Sequence, residues 1–136
     1  NNVEDSMGPL RFILFYLLTG ILATLSHAAI APMARIPMVG ASGAISGVLG
    51  GYLRLYPRAR VLTLIFIGVF GRIVTISASW VILSWFLLQL INGTVSLSTR
   101  QSGGVAWFAH IGGFGAGLLL IKLFVRRDRM EGPGMP

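Results

Sequence analysis

The chain has 136 residues, about the length of one domain. Hydrophobic residues make up 54% of it and charged residues 11%, whereas a soluble domain carries roughly 25% charged residues, and the mean hydropathy is +0.79. This composition excludes an ordinary water-soluble fold and predicts a surface covered mostly by lipid. The absence of cysteine excludes disulfides and thiolate metal sites.

Long uncharged stretches separate the charged residues and predict four helices. A membrane-spanning helix needs about 20 mainly apolar residues at a rise of about 1.5 Å per residue. The candidate helices run over residues 10–30, 39–56, 73–91 and 105–125. We therefore expect an all-α polytopic transmembrane bundle over residues 1–125, followed by a basic, disordered cytoplasmic tail over residues 126–136. Because the chain begins with Asn1 and not with methionine, we expect its true N-terminus to be missing.

Residues 61–70 form an apolar run that is only about half as long as a membrane span. A run of this length is more typical of an interfacial or re-entrant segment than of a spanning helix. We expect it to lie against the membrane surface, between the second and third predicted helices.

The basic residues are divided unequally between the two sides of a four-span bundle. Arg35 and Arg100 face one side, and the side of the two termini holds the other nine of the 11 bases: Arg11, Arg54, Arg58, Arg60, Arg72, Lys122, Arg126, Arg127 and Arg129. Because cytoplasmic loops are enriched in Lys and Arg, we expect cytoplasmic termini, in a bacterial inner membrane. The net charge of +7 is then a topology signal. We expect no nucleic-acid partner, because a basic soluble face with stacking aromatic residues is missing.

Two of the polar residues inside the predicted spans occur at matching depth. Gly40-Ala41-Ser42-Gly43 opens the second helix, and His110 lies about five residues into the fourth. These two helices run in the same direction, so Ser42 and His110 each lie roughly 5–8 Å below the outer ends of their helices. We expect the two side chains to meet.

A serine beside a histidine is an arrangement that favours nucleophilic catalysis. The imidazole can take the proton of the weakly nucleophilic hydroxyl and return it to a leaving amine, with no metal or cofactor. The first turn of the second helix would offer N–H groups to an oxyanion, and Gly40 and Gly43 would let a substrate backbone approach closely. The alternatives are structural: Ser42 as a packing residue or N-cap, and His110 as an interhelical hydrogen-bond partner.

Small residues recur along one face of each of these two helices and predict close packing. Ser46, one turn after Ser42, is expected to bond back to its own helix or to line a pocket, and His27 is expected at the membrane interface. The packing rows are Gly43, Gly47 and Gly51 on the second helix, and Ala106, His110, Gly113 and Gly117 on the fourth.

These residues resemble the rhomboid family of intramembrane serine proteases. The match lies in Gly40-Ala41-Ser42-Gly43 at the start of one helix and in Ala109-His110-Ile111-Gly112-Gly113, with Gly117, on the last. Residues 1–8 resemble the family's connection between its second and third helices, so the predicted helices correspond to the third to sixth of a six-helix core. The resemblance implies cleavage of a transmembrane substrate near the outer membrane face, with Ser42 as the nucleophile and His110 as the general base.

The chain departs from the family pattern at two places. The family's second core helix carries a His and an Asn that help bind the oxyanion, and this helix would precede Asn1. Many members place a tyrosine four residues after the serine, where this chain has Ser46. We therefore expect little activity from this portion alone.

Two other functions are compatible with an apolar helical bundle. A catalytically inactive rhomboid-like protein would bind transmembrane helices without needing the Ser–His pair. A small transporter or channel component would place charges or broken helices at mid-membrane, and the predicted spans carry no charge at that depth. The sequence favours an intramembrane serine endopeptidase with a Ser–His dyad, acting on a transmembrane protein within the lipid bilayer.

Overall fold

The computed structural model describes residues 1–32, 41–99 and 106–126, and within these ranges the chain is mostly helical. In chain order the elements are α1 (Asn2–Met7), α2 (Pro9–Ile30), α3 (Ser42–Leu55), β1 (Arg60–Ile67), β2 (Phe70–Ser77), α4 (Ala78–Thr99) and α5 (Trp107–Phe124). The predicted polytopic helical bundle is confirmed, with a β-hairpin added to it.

Three helices among the described residues, α2, α4 and α5, are long and apolar enough to cross a membrane. The fourth long helix, α3, has 14 residues and is therefore about 21 Å long. Its small residues are buried, among them Ala44, Gly47 and Gly51, because it packs against both α2 and α5. The bundle is thus built around a short central helix that longer helices flank.

Glycine lets α3 and α5 approach until their backbones touch. A Cβ atom added to Gly113 would meet the carbonyl oxygen of Gly43, and one added to Gly117 would meet the carbonyl oxygen of Gly47. A Cβ on Gly51 would come within 2.9 Å of the Ile121 side chain. The contacts advance in the same direction along both helices, so α3 and α5 are parallel.

The other side of α3 packs against α2 in the opposite sense. A Cβ on Gly43 would lie 2.7 Å from that of Ala23, and one on Gly47 would lie 2.5 Å from that of Thr19. As the contacts move forward along α3 they move backward along α2, so these helices are antiparallel. The parallel direction of α3 and α5 puts their first turns at the same end of the bundle.

The largest buried cluster lies at the other end of the bundle. It joins α1, α2 and α5 through apolar side chains that are at most 6% exposed: Val3, Met7, Phe15, Ile121 and Val125. The Tyr56 hydroxyl donates to the carbonyl of Asn2 at 3.0 Å, and the Arg126 amide donates to that of Ser6 at 3.1 Å. Residues 1–8, expected to form a connection, thus include a short helix that closes this end of the bundle.

The segment between α3 and α4 is an antiparallel hairpin, which is not among the elements predicted from the sequence. Its register runs from Arg60 opposite Ser77 to Ile67 opposite Phe70. Gly68 takes φ +63° in the turn, a conformation open to glycine and unfavourable for branched residues. The ten-residue run expected as one surface segment therefore supplies the first strand and the turn.

The bounds of the third predicted helix are corrected by the hairpin. The sequence predicts it over residues 73–91, but residues 73–77 belong to β2 and α4 runs from Ala78 to Thr99. β-Branched residues dominate this stretch, and they favour the strand. The other helices begin and end within three residues of their predicted bounds, over Pro9–Ile30, Ser42–Leu55 and Trp107–Phe124. Of the disordered tail expected over residues 126–136, Arg126 is described and its amide bonds to Ser6, and residues 127–136 lie outside the described residues.

Candidate active site

Ser42 is the first residue of α3, and its side chain is exposed. The residue that caps this helix is Ala41, which makes no side-chain capping bond, so Ser42 does not act as the N-cap. Its hydroxyl oxygen lies 2.9 Å from Nε2 of His110. The structure therefore brings together the two side chains that the sequence analysis paired.

His110 lies in the first turn of α5 and is half-buried. The close contact of Gly113 with the Gly43 carbonyl sets the separation of α3 and α5 at this level. A wider spacing, such as larger side chains would impose, would carry the imidazole away from the hydroxyl. The packing face and the Ser–His face thus coincide, as the small-residue rows predict.

The second ring nitrogen of His110 contacts Gln89, which is not among the site residues predicted from the sequence. Nδ1 lies 2.8 Å from Oε1 of Gln89 on α4, and the Gln89 side chain is only 6% exposed. The Gln89 amide nitrogen donates to the carbonyl of Trp85, one turn earlier, at 3.3 Å. The signal in the sequence is an amide inside an otherwise apolar run, since buried amides need hydrogen-bond partners.

Aromatic rings surround the imidazole. The Trp85 ring lies 6.0 Å from it in a tilted arrangement, and the Trp107 ring lies 6.4 Å away, edge to face. Trp85 also contacts Phe114, which stacks on Phe86 at 4.4 Å between ring centroids. The imidazole is therefore held by a hydrogen bond at each nitrogen and by apolar rings beside it.

Ser46 and Gly43 lie next to the pair but face the interior of the bundle. The Ser46 side chain is 1% exposed, and its hydroxyl donates to the carbonyl of Ser42 at 2.7 Å. The Cβ direction of Gly43 is filled by Ala23 and Ala109, so its missing side chain serves helix packing and leaves no gap for a substrate. Gly40, the other glycine expected at the site, lies outside the described residues.

The start of α3 presents backbone donors beside Ser42. The first intrahelical bond runs from the Ile45 amide to the Ala41 carbonyl at 3.0 Å. The N–H groups of Ser42, Gly43 and Ala44 precede it, so no earlier turn of the helix supplies them with an acceptor. These groups and the positive end of the helix dipole favour a negative charge at this position.

His27 takes no part in this arrangement. It is 7% exposed and therefore packs inside the bundle, near the end of α2. Its expected position at the level of the membrane interface stays a prediction. Neither ring nitrogen has a hydrogen-bond partner within the described ranges, and the ring lies 6.3 Å from Phe108.

One comparison with known proteins identifies a relationship. A family model described as Rhomboid domain matches residues 1–127, nearly the whole chain. No curated protein and no solved structure matches the chain.

Proposed function

Because the chain belongs to the rhomboid family, we propose that it is an intramembrane serine endopeptidase in which Ser42 is the nucleophile and His110 the general base. The observation that carries the proposal is the 2.9 Å contact between the serine hydroxyl and Nε2 of the histidine. The protein is an integral membrane protein with three helices of spanning length in its described part. A transmembrane protein is therefore the substrate that shares its environment.

In the proposed reaction, one proton moves from Ser42 to His110 and then to the leaving amine. His110 accepts the hydroxyl proton of Ser42 while the oxygen attacks the carbonyl carbon of the scissile peptide bond. The resulting oxyanion lies near the N–H groups at the start of α3. His110 then gives the proton to the leaving amine as the C–N bond breaks, and a water molecule, activated in the same way, hydrolyses the acyl-enzyme.

The proposed active site opens toward the outer face of the membrane. The first turns of α3 and α5 face outward and the termini are cytoplasmic, as the distribution of basic residues favours, in a bacterial inner membrane. In this assignment α2 to α5 correspond to the third to sixth helices of the family's core. Cleavage would then occur near the outer membrane face.

A serine-directed fluorophosphonate probe tests the proposal on the full-length protein in membranes. We expect covalent labelling that Ser42→Ala abolishes and His110→Ala strongly reduces. Ser84→Ala is the matched control, because the exposed Ser84 hydroxyl donates to the carbonyl of Val81, one turn earlier in its own helix. Labelling that survives Ser42→Ala would refute the assignment of the nucleophile.

The alternative is a catalytically inactive rhomboid-like protein that binds transmembrane helices. It predicts that the cellular phenotype of the protein survives both Ser42→Ala and His110→Ala. The Ser–His hydrogen bond favours the enzyme, since helix binding makes no use of a polar pair in this geometry.

A further inference from the structure

We infer that Gln89 is a positioning residue for the proposed reaction. Its side chain orients the His110 ring and selects the tautomer of that ring. This inference rests on the proposed function for its catalytic meaning. The hydrogen bonds on which it depends belong to the structure itself.

The direction of each hydrogen bond follows from the amide of Gln89. An amide side chain has one oxygen, which only accepts, and one nitrogen, which only donates. The nitrogen donates to the carbonyl of Trp85, so the oxygen is the atom that faces His110. Because an amide oxygen cannot donate, Nδ1 of the imidazole must carry the proton.

The tautomer at Nδ1 determines what the other nitrogen can do. In a neutral imidazole with the proton on Nδ1, Nε2 has a free lone pair. Nε2 faces the hydroxyl of Ser42, which must then be the donor. The result is a single directed chain in which Ser42 donates to His110, His110 donates to Gln89, and Gln89 donates to the carbonyl of Trp85.

The surroundings of Gln89 make this chain selective. The side chain is 6% exposed, so little water competes for its oxygen. The opposite tautomer would place the lone pair of Nδ1 against the lone pairs of the amide oxygen, and it would leave Nε2 without a lone pair for the proton of Ser42. Burial thus penalises the unproductive form.

A neutral amide also suits the membrane. A carboxylate in this position would carry a charge into a spanning helix, which is expensive. Gln89 supplies the acceptor that orients a histidine without that charge.

The test compares Gln89→Met with the parent protein, because methionine keeps the length of the side chain and removes the acceptor oxygen. We expect kcat for a transmembrane peptide substrate to fall on the order of 10- to 100-fold, with KM nearly unchanged. Gln89→Glu restores the oxygen and should recover part of the rate. The matched control is Asn92→Leu, which removes an exposed amide from the same helix and should leave kcat at the parent value.

Ring ¹⁵N NMR on the full-length protein measures the tautomer of His110 directly. If Gln89 only stabilised the fold, Gln89→Met would leave this tautomer unchanged. The signals that disappear in His110→Ala are those of the His110 ring. We expect the Nδ1–H tautomer in the parent and a mixture of tautomers in Gln89→Met. An unchanged tautomer in that variant would overturn the inference, as would an unchanged kcat.

The two readouts separate this inference from the proposed function. If Ser42 were not a nucleophile, the probe would fail to label the parent, yet the tautomer would still respond to Gln89→Met. If only the positioning role were wrong, the probe would label the parent and the tautomer would not respond.

Discussion

The place of Ser42 at the first position of α3 decides what its hydroxyl can do. Hydroxyls farther along a helix commonly donate to the carbonyl four residues earlier, as those of Ser26, Ser46 and Ser98 do here. Ser42 has no helical turn before it, so that acceptor is not available within its helix. Its hydroxyl is therefore left for His110.

Ser46 provides a contrast one turn later. Because its hydroxyl already donates to the carbonyl of Ser42, we expect Ser46→Ala to leave kcat and KM near the parent values. We expect the free energy of unfolding to fall by about 1 kcal/mol or less, the usual net value of such a bond. Turnover of a transmembrane peptide substrate and thermal unfolding in detergent measure the two effects. A large rise in KM would instead indicate that Ser46 lines the substrate pocket.

The sequence predicts the Ser42–His110 contact but not the contact between His110 and Gln89. The serine and the histidine lie within the first turns of parallel helices, so counting residues from the helix starts is enough to place them together. Gln89 lies in the interior of α4, where apolar residues occupy all sides of the helix. No pattern there tells which side faces α5, and only the packing of Trp85 and Phe86 against Phe114 fixes it.

At the scale of elements, the tightest contacts between α3 and α5 involve main-chain atoms. A Cβ on Gly117 would run into the carbonyl of Gly47, and a backbone carbonyl in a helix cannot move aside as a side chain can. The separation of these helices therefore depends on glycine, which has no Cβ atom, at positions 113 and 117. Because Ser42 lies on α3 and His110 on α5, the distance between their side chains depends on the same glycines.

Gly117→Ala should consequently push the two helices apart. We expect a loss of roughly 1–3 kcal/mol in the free energy of unfolding, which is typical of overpacking, and a matching loss of probe labelling at Ser42. The control is Gly115→Ala on the same helix, where an added Cβ meets nothing within 4 Å and helix propensity favours alanine. Equal behaviour of the two variants in thermal unfolding would contradict this account of the interface.

The hairpin could not be predicted from the hydrophobic pattern of residues 61–70 alone. An apolar run of about ten residues suits a surface helix or a buried strand equally well, and the positive φ of Gly68 becomes evident only once the strands pair. The hairpin leaves large apolar side chains exposed, with Phe66 at 68%, Val69 at 91% and Phe70 at 79%. Its two open edges are unsuited to the hydrocarbon core. Its expected location at the membrane surface stays a prediction.

At the scale of the whole molecule, the two ends of the bundle differ in chemistry. The end that holds α1 and the last turn of α5 carries basic side chains, including Arg11, which donates to the carbonyl of Phe124 at 3.3 Å, and Lys122. The opposite end holds Ser42 and His110 and, in the described residues, no acid or base besides histidine. A membrane protein with this asymmetry is oriented by its basic end.

This asymmetry yields a prediction about topology that the absence of cysteine makes simple to test. A single cysteine can be placed at Asp5 on the basic end or at Ser98 near the opposite end of α4, since both side chains are exposed. In intact bacterial cells we expect a membrane-impermeant maleimide to label Ser98→Cys, and to label Asp5→Cys only after permeabilisation, because the proposed topology keeps the basic end in the cytoplasm. The parent chain, with no cysteine, is the background control. Labelling of Asp5→Cys in intact cells would show the opposite topology, with Ser42 and His110 at the cytoplasmic face. Cleavage near the outer membrane face would then be excluded.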